Sequence, residues 1–128
     1  MLNLQRETLI DSYISSYNQK DVKGMLKPLH KDVIFENHTN GEITHSTQGI
    51  DEFKKQAIQA LDFFETREQS PEKYIHQARY TEVHLKYHAT LGKDFPDGSL
   101  KKGAEINLKG RSVFTFKDGL ISKIQDYS

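Results

Sequence analysis

The second half of the chain carries strand patterns throughout, and this restricts the fold more than any other feature. From Glu82 to Leu91 every second residue is apolar, as in a strand with one buried face. In a longer strand that follows, one face comprises Ile106, Leu108, Gly110, Ser112, Phe114 and Phe116. Asp118-Gly119 indicates a turn into a last strand, Leu120 to Tyr127. With a weaker strand at Lys73 to Arg79, the pattern predicts four strands in succession.

Helical periodicity is confined to the first half of the chain. Apolar residues recur at helical spacing from Leu4 to Tyr17, and Asp21 is suited to cap a short second helix through Leu26. A third helix is predicted over Ile50 to Thr66, with an apolar stripe that includes Phe64. Between the second and third helices, Val33 begins a strand and Asn40-Gly41 is a two-residue hairpin signal.

Early helices followed by an antiparallel meander predict an α+β fold rather than a βαβ sheet. One curved sheet wrapped over three helices would form a half-open cone, with a pocket where the apolar filling is incomplete. At 128 residues, the chain is expected to form a single domain over residues 1–128.

Composition excludes several classes of function. The absence of cysteine excludes disulfides, thiolate catalysis and cysteine metal sites. Lys+Arg and Asp+Glu both number 18, so no net charge attracts nucleic acid or an anionic membrane. Met1 to Arg6 lacks the features of a signal peptide, and no apolar run reaches membrane-spanning length. We therefore expect a cytoplasmic protein with neither a nucleic-acid nor a membrane partner.

Several motifs, in their order and spacing, resemble the nuclear transport factor 2-like superfamily, and within it the SnoaL-like polyketide cyclases and ketosteroid isomerase relatives. They are Tyr13 to Asp21, Leu29 to Asn37, Gly49 to Phe53, Gly110 to Phe116 and Asp118 to Ile121. The resemblance implies a cystatin-like cone and a homodimer formed through the outer sheet surface. The superfamily includes isomerases, cyclases, epoxide hydrolases, dehydratases and non-catalytic binding domains, so it leaves the chemistry open.

The ketosteroid isomerase machinery is only partly present. Those enzymes use a carboxylate base with an oxyanion hole formed by a tyrosine and a protonated aspartic acid. By resemblance, Tyr13 occupies the tyrosine position, whereas Asn37 and Ser112 replace the two acids. An amide cannot act as a base at neutral pH, so ketosteroid isomerisation by that mechanism is not expected.

Asp126 is the candidate proton carrier. Some SnoaL-like cyclases carry an acidic residue on the last strand as acid/base, and the resemblance places Asp126 at a pocket-lining position. Inside an apolar cone the pKa of this carboxyl group would rise towards neutrality. The alternative is an exposed side chain near a frayed end. With Tyr13, Asp126 forms the candidate catalytic pair.

Other inward-facing side chains are candidate ligand contacts. They are Tyr17, Phe35, Asn37, Phe64, Tyr87, Ser112 and Phe114. Alternation places Asn37 on the same face as Val33 and Phe35. Each aromatic residue could equally belong to the core, and each polar one could be satisfied by neighbouring groups. His30, at the exit of the second helix, is more simply explained by packing or capping.

No metal or other cofactor is expected. His84 and His88 are four residues apart, but on a strand that spacing is ~13 Å, beyond the reach of one ion. No zinc-protease motif or phosphate-binding glycine loop occurs.

Two functions therefore remain open. One is a protein that binds a small hydrophobic or cyclic molecule and performs acid/base isomerase, cyclase or hydrolase chemistry on it. The other is a non-catalytic ligand-binding or dimerisation module. The position of Asp126, buried in the cone or exposed, distinguishes them.

Overall fold

The computed structural model describes residues 1–128 and has the predicted order of elements. Three helices are present: α1 (Asn3–Asn18), α2 (Val22–Leu26) and α3 (Ile50–Ala60). The six strands are β1 (Leu29–Thr39), β2 (Glu42–Gln48), β3 (Phe64–His76), β4 (Tyr80–Leu91), β5 (Glu105–Lys117) and β6 (Leu120–Tyr127). None of the helices combines the length and apolar character that a membrane span requires.

All six strands form one sheet in the order β2-β1-β6-β5-β4-β3. Every neighbouring pair is antiparallel except β1 and β6, which are parallel. The sheet curves around the three helices, which confirms the expected α+β fold, and the one parallel pair makes the sheet mixed.

Local sequence signals account for the predicted turns and the helix cap. Asn40 and Gly41 adopt φ values of 53° and 80°, and Asp118 and Gly119 adopt 54° and 77°, as two-residue hairpins with a matching twist require. The Asp21 side chain accepts a hydrogen bond of 3.1 Å from the backbone N–H of Gly24 at the start of α2.

The prediction for the third helix was wrong at its C-terminal end. The helix stops at Ala60, a 3-10 turn covers Leu61–Phe63, and Phe64 begins β3 instead of ending the helical stripe. Phe64 pairs with Leu91 on β4, and this strand pairing outweighs the helical spacing of the apolar residues in the sequence. The weak strand at Lys73 to Arg79 is the last part of this much longer strand, which ends at His76.

The core lies between α1 and the concave face of the sheet. Ile10, Tyr13 and Ile14 project from α1 onto strand residues that are almost fully buried. Those strand residues are Val33, Val83, Leu85, Phe114, Ile121 and Ile124. Burial of each large apolar side chain contributes roughly 1.5–3 kcal/mol, so this layer stabilises the cone.

Phe114 allows a direct test of this core. Its side chain is 1% exposed, and its ring meets that of Tyr13 edge-on at 6.0 Å. Phe114→Ala is expected to lower the free energy of unfolding in urea by about 3–5 kcal/mol, because it leaves a cavity. Leu108→Ala, on the same strand at 40% exposure, should cost less than about 1 kcal/mol. Similar losses for both variants would contradict this assignment of the core.

Candidate functional site

A cavity of about 310 Å³ opens between the helices and the sheet. Its lining residues come from all three helices and from β1, β2, β3 and β6: Tyr13, Tyr17, Met25, Phe35, Asn37, His45, Phe53, Gln56, Ala57, Ala60, Phe64, Arg67 and Asp126. We call it the main cavity. A second cavity of about 230 Å³ shares Tyr17, Asn37 and Asp126 with it.

Most of the side chains selected from the sequence line these two cavities. Both candidate catalytic residues line the main cavity, together with Tyr17, Phe35, Asn37 and Phe64. Tyr87 and Ser112 line the second cavity. Phe114 lies in the core behind Tyr13 and lines neither.

Asp126 lies where the two cavities meet. In the sheet register it is the neighbour of Asn37 on β1 and of Ser112 on β5. The hydroxyl of Ser112 donates a hydrogen bond of 2.6 Å to Asp126 Oδ1. Its side chain is half-buried, and the accessible part faces the two cavities that it lines.

This environment changes the acidity of Asp126. Burial raises the pKa of its carboxyl group to about 6, against the opposing effect of the Ser112 hydrogen bond. Both protonation states are therefore populated close to neutral pH. A group of this kind can remove a proton from a ligand or return one to it.

The hydroxyl of Tyr13 is a second functional group in the main cavity. The residue is 4% exposed, and its ring is held between Phe53 and Phe114. Burial raises the pKa of Tyr13 far above its ordinary value, and the nearby Asp126 charge raises it further, while Arg67 lowers it. Tyr13 therefore stays protonated, as a hydrogen-bond donor for a ligand oxygen needs to be.

Asn37 is fixed in orientation by the neighbouring strand. Its side-chain N–H₂ group donates to Thr44 Oγ1 at 2.9 Å and, more weakly, to Thr39 Oγ1 at 3.4 Å. The side-chain carbonyl of Asn37 forms no hydrogen bond with the protein. It is therefore available to accept one in either of the two cavities that Asn37 lines.

Tyr17 and Tyr87 form a hydroxyl pair beside the two cavities. Their oxygen atoms are 3.1 Å apart, and their rings are tilted at a centroid distance of 6.4 Å. Burial raises the pKa of both residues, so both remain protonated and one donates to the other.

Arg67 is the main functional candidate that sequence reasoning missed. It is 5% exposed and lines the main cavity. Its Nε donates to the backbone carbonyl of Tyr17 at 2.9 Å, and its guanidinium lies 3.8 Å above the ring of that residue. A lone arginine just beyond a predicted helix carried no signal of burial. His45 and Gln56, also in the cavity wall, were missed for the same lack of a pattern.

The remaining histidines lie outside both cavities. His30 is buried, accepts a hydrogen bond from the N–H of Asp32 through Nδ1, and contacts Asp118 through Nε2 at 3.2 Å, which fits a packing role. His84 and His88 lie on β4, as predicted. Nowhere do three or more histidine, aspartate or glutamate side chains converge as metal ligands would.

Comparison with known proteins identifies the family and the fold. The family model for the SnoaL-like domain matches residues 10–124, which confirms the resemblance seen in the sequence motifs. No protein of curated function is significantly similar in sequence to this chain.

Solved structures with the same fold have low sequence identity. A candidate polyketide cyclase from Xanthomonas campestris pv. campestris is 18% identical, with a TM-score of 0.82 over 98% of this chain and 90% of that one. TerC, co-crystallised with polyporic acid, is 16% identical, with a TM-score of 0.76 over 95% and 89%. A cystatin-fold protein from Novosphingobium aromaticivorans is 15% identical, with a TM-score of 0.70 over 93% and 94%. These similarities confirm the cystatin-like fold.

The acidity of Asp126 can be measured directly. A carboxyl-carbon NMR titration, assigned with Asp126→Asn, is expected to give a pKa of about 6. Ser112→Ala should raise this pKa further, because the lost hydrogen bond favours the charged form. Ser122 lies on β6, as Asp126 does, but forms no hydrogen bond with it, so Ser122→Ala should leave the pKa of Asp126 unchanged. A wild-type pKa at or below the model-peptide value of about 3.9 would contradict the buried environment.

Proposed function

We propose, because the chain belongs to the SnoaL-like domain family, that it binds a small hydrophobic cyclic molecule and catalyses proton transfer on it. The observation that carries the proposal is the carboxyl group of Asp126 at the junction of the two cavities, with a pKa raised to about 6. No cofactor takes part in the proposed step.

The cavity wall favours a ring-shaped ligand. Phe35 and Phe53 meet edge-on at 5.9 Å, and Phe64 adds a third ring to the wall of the main cavity. Aromatic walls with a few polar groups are typical of sites that bury a planar apolar ligand. TerC was co-crystallised with polyporic acid, and we extend to this chain only the expectation that the cone receives a small organic molecule.

The proposed step is proton transfer next to a carbonyl group. The Asp126 carboxylate takes a proton from the carbon adjacent to the carbonyl, and the released electron pair moves onto the carbonyl oxygen. Tyr13 donates a hydrogen bond to that oxygen as its negative charge develops, and Asn37 helps to orient the ring. If the ketone is β,γ-unsaturated, return of the proton from Asp126 to the γ-carbon moves the double bond and regenerates the carbonyl, which completes an isomerisation. Attack of the enolate carbon on a second carbonyl, whose oxygen then takes the proton from Asp126, would instead complete a cyclisation.

This step can be tested with a simple cyclic ketone. Wild-type protein should accelerate exchange of the α-protons of 2-tetralone in D₂O, followed by NMR, with a rate that rises through about pH 6 as Asp126 ionises. Asp126→Asn should lower the rate by about 10²- to 10⁴-fold, because the base is lost. Asp97→Asn, at an exposed turn, is the matched control and should leave the rate unchanged. If the Asp126→Asn variant exchanged the α-protons at the wild-type rate, Asp126 would be excluded as the base.

The second candidate function is a non-catalytic binding module. By the resemblance, Asn37 and Ser112 occupy the positions of the two ketosteroid isomerase acids, which favours this reading. In that case 2-tetralone would bind, as detected by ligand NMR, without accelerated exchange. Binding without exchange would thus support the module, whereas exchange that depends on Asp126 would support the enzyme.

A homodimer and a cytoplasmic location are also proposals. The outer surface that would form the dimer is polar, with Arg111 Nη1 paired to Glu82 at 2.6 Å and stacked over Tyr127. Sedimentation velocity should give twice the mass of the 14.8 kDa chain. Arg111→Glu should reduce that mass by placing like charges at the interface, and a wild-type monomer would contradict the proposed dimer.

A further inference from the structure

Arg67 is a buried cation without a carboxylate partner in the wall of the main cavity. Its side chain is 5% exposed, and its only oxygen acceptor is the carbonyl of Tyr17. Nη2 contacts the thioether of Met25 at 3.9 Å, which is a weak acceptor. A guanidinium keeps its positive charge throughout the ordinary pH range, so this charge is not removed by deprotonation.

Another buried arginine shows how this fold satisfies a purely structural guanidinium. Arg6 is 7% exposed, and its two terminal nitrogens donate to the backbone carbonyls of Gln77 at 2.6 Å, Tyr80 at 3.0 Å and Ala78 at 2.8 Å. Gln77 and Ala78 lie in the connection between β3 and β4, Tyr80 is the first residue of β4, and Arg6 lines neither cavity. Arg67 has no comparable set of acceptors.

The terminal nitrogen Nη1 of Arg67 is open to the main cavity. It donates to no protein atom. Only two fully enclosed side-chain nitrogen or oxygen atoms lack a hydrogen-bond partner, Arg6 Nε and Thr47 Oγ1, so Nη1 is not fully enclosed. Nη1 is therefore accessible, and the free space that Arg67 lines is the main cavity. A planar guanidinium with an open donor edge is well suited to a carboxylate or a similar pair of oxygen atoms.

Asp126 does not serve as the missing counter-ion. A carboxylate paired with a guanidinium has a lowered pKa, whereas burial raises the pKa of Asp126 and Ser112 is its hydrogen-bond donor. The charge of Arg67 is offset only by the ring and the carbonyl of Tyr17, near the C-terminal end of α1.

We infer that the ligand of the main cavity carries an acidic group, a carboxylate or an ionised enol, and that Arg67 binds it. This inference rests on the proposed function, since it concerns the ligand of the same site. It defines the ligand class as cyclic organic acids, with the acidic end on Arg67 and the ring among the phenylalanines. At about 310 Å³ the cavity is at the lower end of the range for drug-sized ligands, so two fused rings are a suitable probe.

A pair of matched probes tests the inference. 2-Naphthoate and 2-naphthamide have nearly the same shape, and only the first is charged at neutral pH. Fluorescence titration of the wild-type protein should give at least about 10-fold tighter binding of 2-naphthoate, as a charge-assisted hydrogen bond provides. Arg67→Met should abolish that preference and leave the affinity for 2-naphthamide within about 3-fold of wild type.

Arg6→Met is the control for loss of a buried guanidinium. It should weaken the fold, as thermal unfolding will report, but retain the preference for the acid. If Arg67→Met does not fold, Arg67→Lys takes its place and should reduce the preference, because a single ammonium cannot make the paired contact.

The outcomes separate the two proposals. Equal affinity of the wild-type protein for both probes overturns the acid inference and leaves the cyclic-ligand proposal standing. A preference for the acid that survives Arg67→Met, or that Arg67→Lys in its place leaves undiminished, also overturns the inference. If neither probe binds to the wild-type protein, the cyclic-ligand proposal fails together with it.

Discussion

The parallel pairing of β1 with β6 is the constraint on which the site depends. The last strand of the chain inserts between β1 and β5, so residues from opposite ends of the sequence become neighbours. Backbone hydrogen bonds hold both ends of this pairing, from the N–H of Ile121 to Pro28 at 2.9 Å and from the N–H of Ser128 to His38 at 3.0 Å. The register that results brings Asp126 beside Asn37 and Ser112.

Part of this arrangement could be predicted from the sequence because it depends on local patterns. Strict alternation fixed the buried faces of β4 and β5, and glycines that need positive φ marked two hairpins. The position of Asp126 could not be obtained from alternation alone, since pairing with β1 is a long-range event. It came from the family resemblance, and its place in the cavity wall is a finding of the structure.

The rest could not be predicted because it depends on a bulge. Phe64 continues the helical stripe of α3, and only its pairing with Leu91 assigns it to β3. The register then shifts between Phe64 and Thr66, and this extra residue turns Arg67 to the same side as Phe64. Without the bulge, simple alternation would place Arg67 on the outer face. A single irregularity thus decides whether the main cavity contains a cation.

A buried arginine lies at each end of α1, and the two differ in how their guanidinium groups are paired. Near the N-terminal end of α1, Arg6 donates to three backbone carbonyls at the turn from β3 into β4 and so ties the helix to the sheet. Near its C-terminal end, Arg67 covers the ring of Tyr17 and keeps one terminal nitrogen free. Burial of a charge lowers stability unless polar partners compensate for it, so the incompletely paired Arg67 is costly to the empty protein. An acidic ligand bound to Arg67 would remove that cost. Ligand binding is therefore expected to raise the free energy of unfolding through contacts at the C-terminal end of α1.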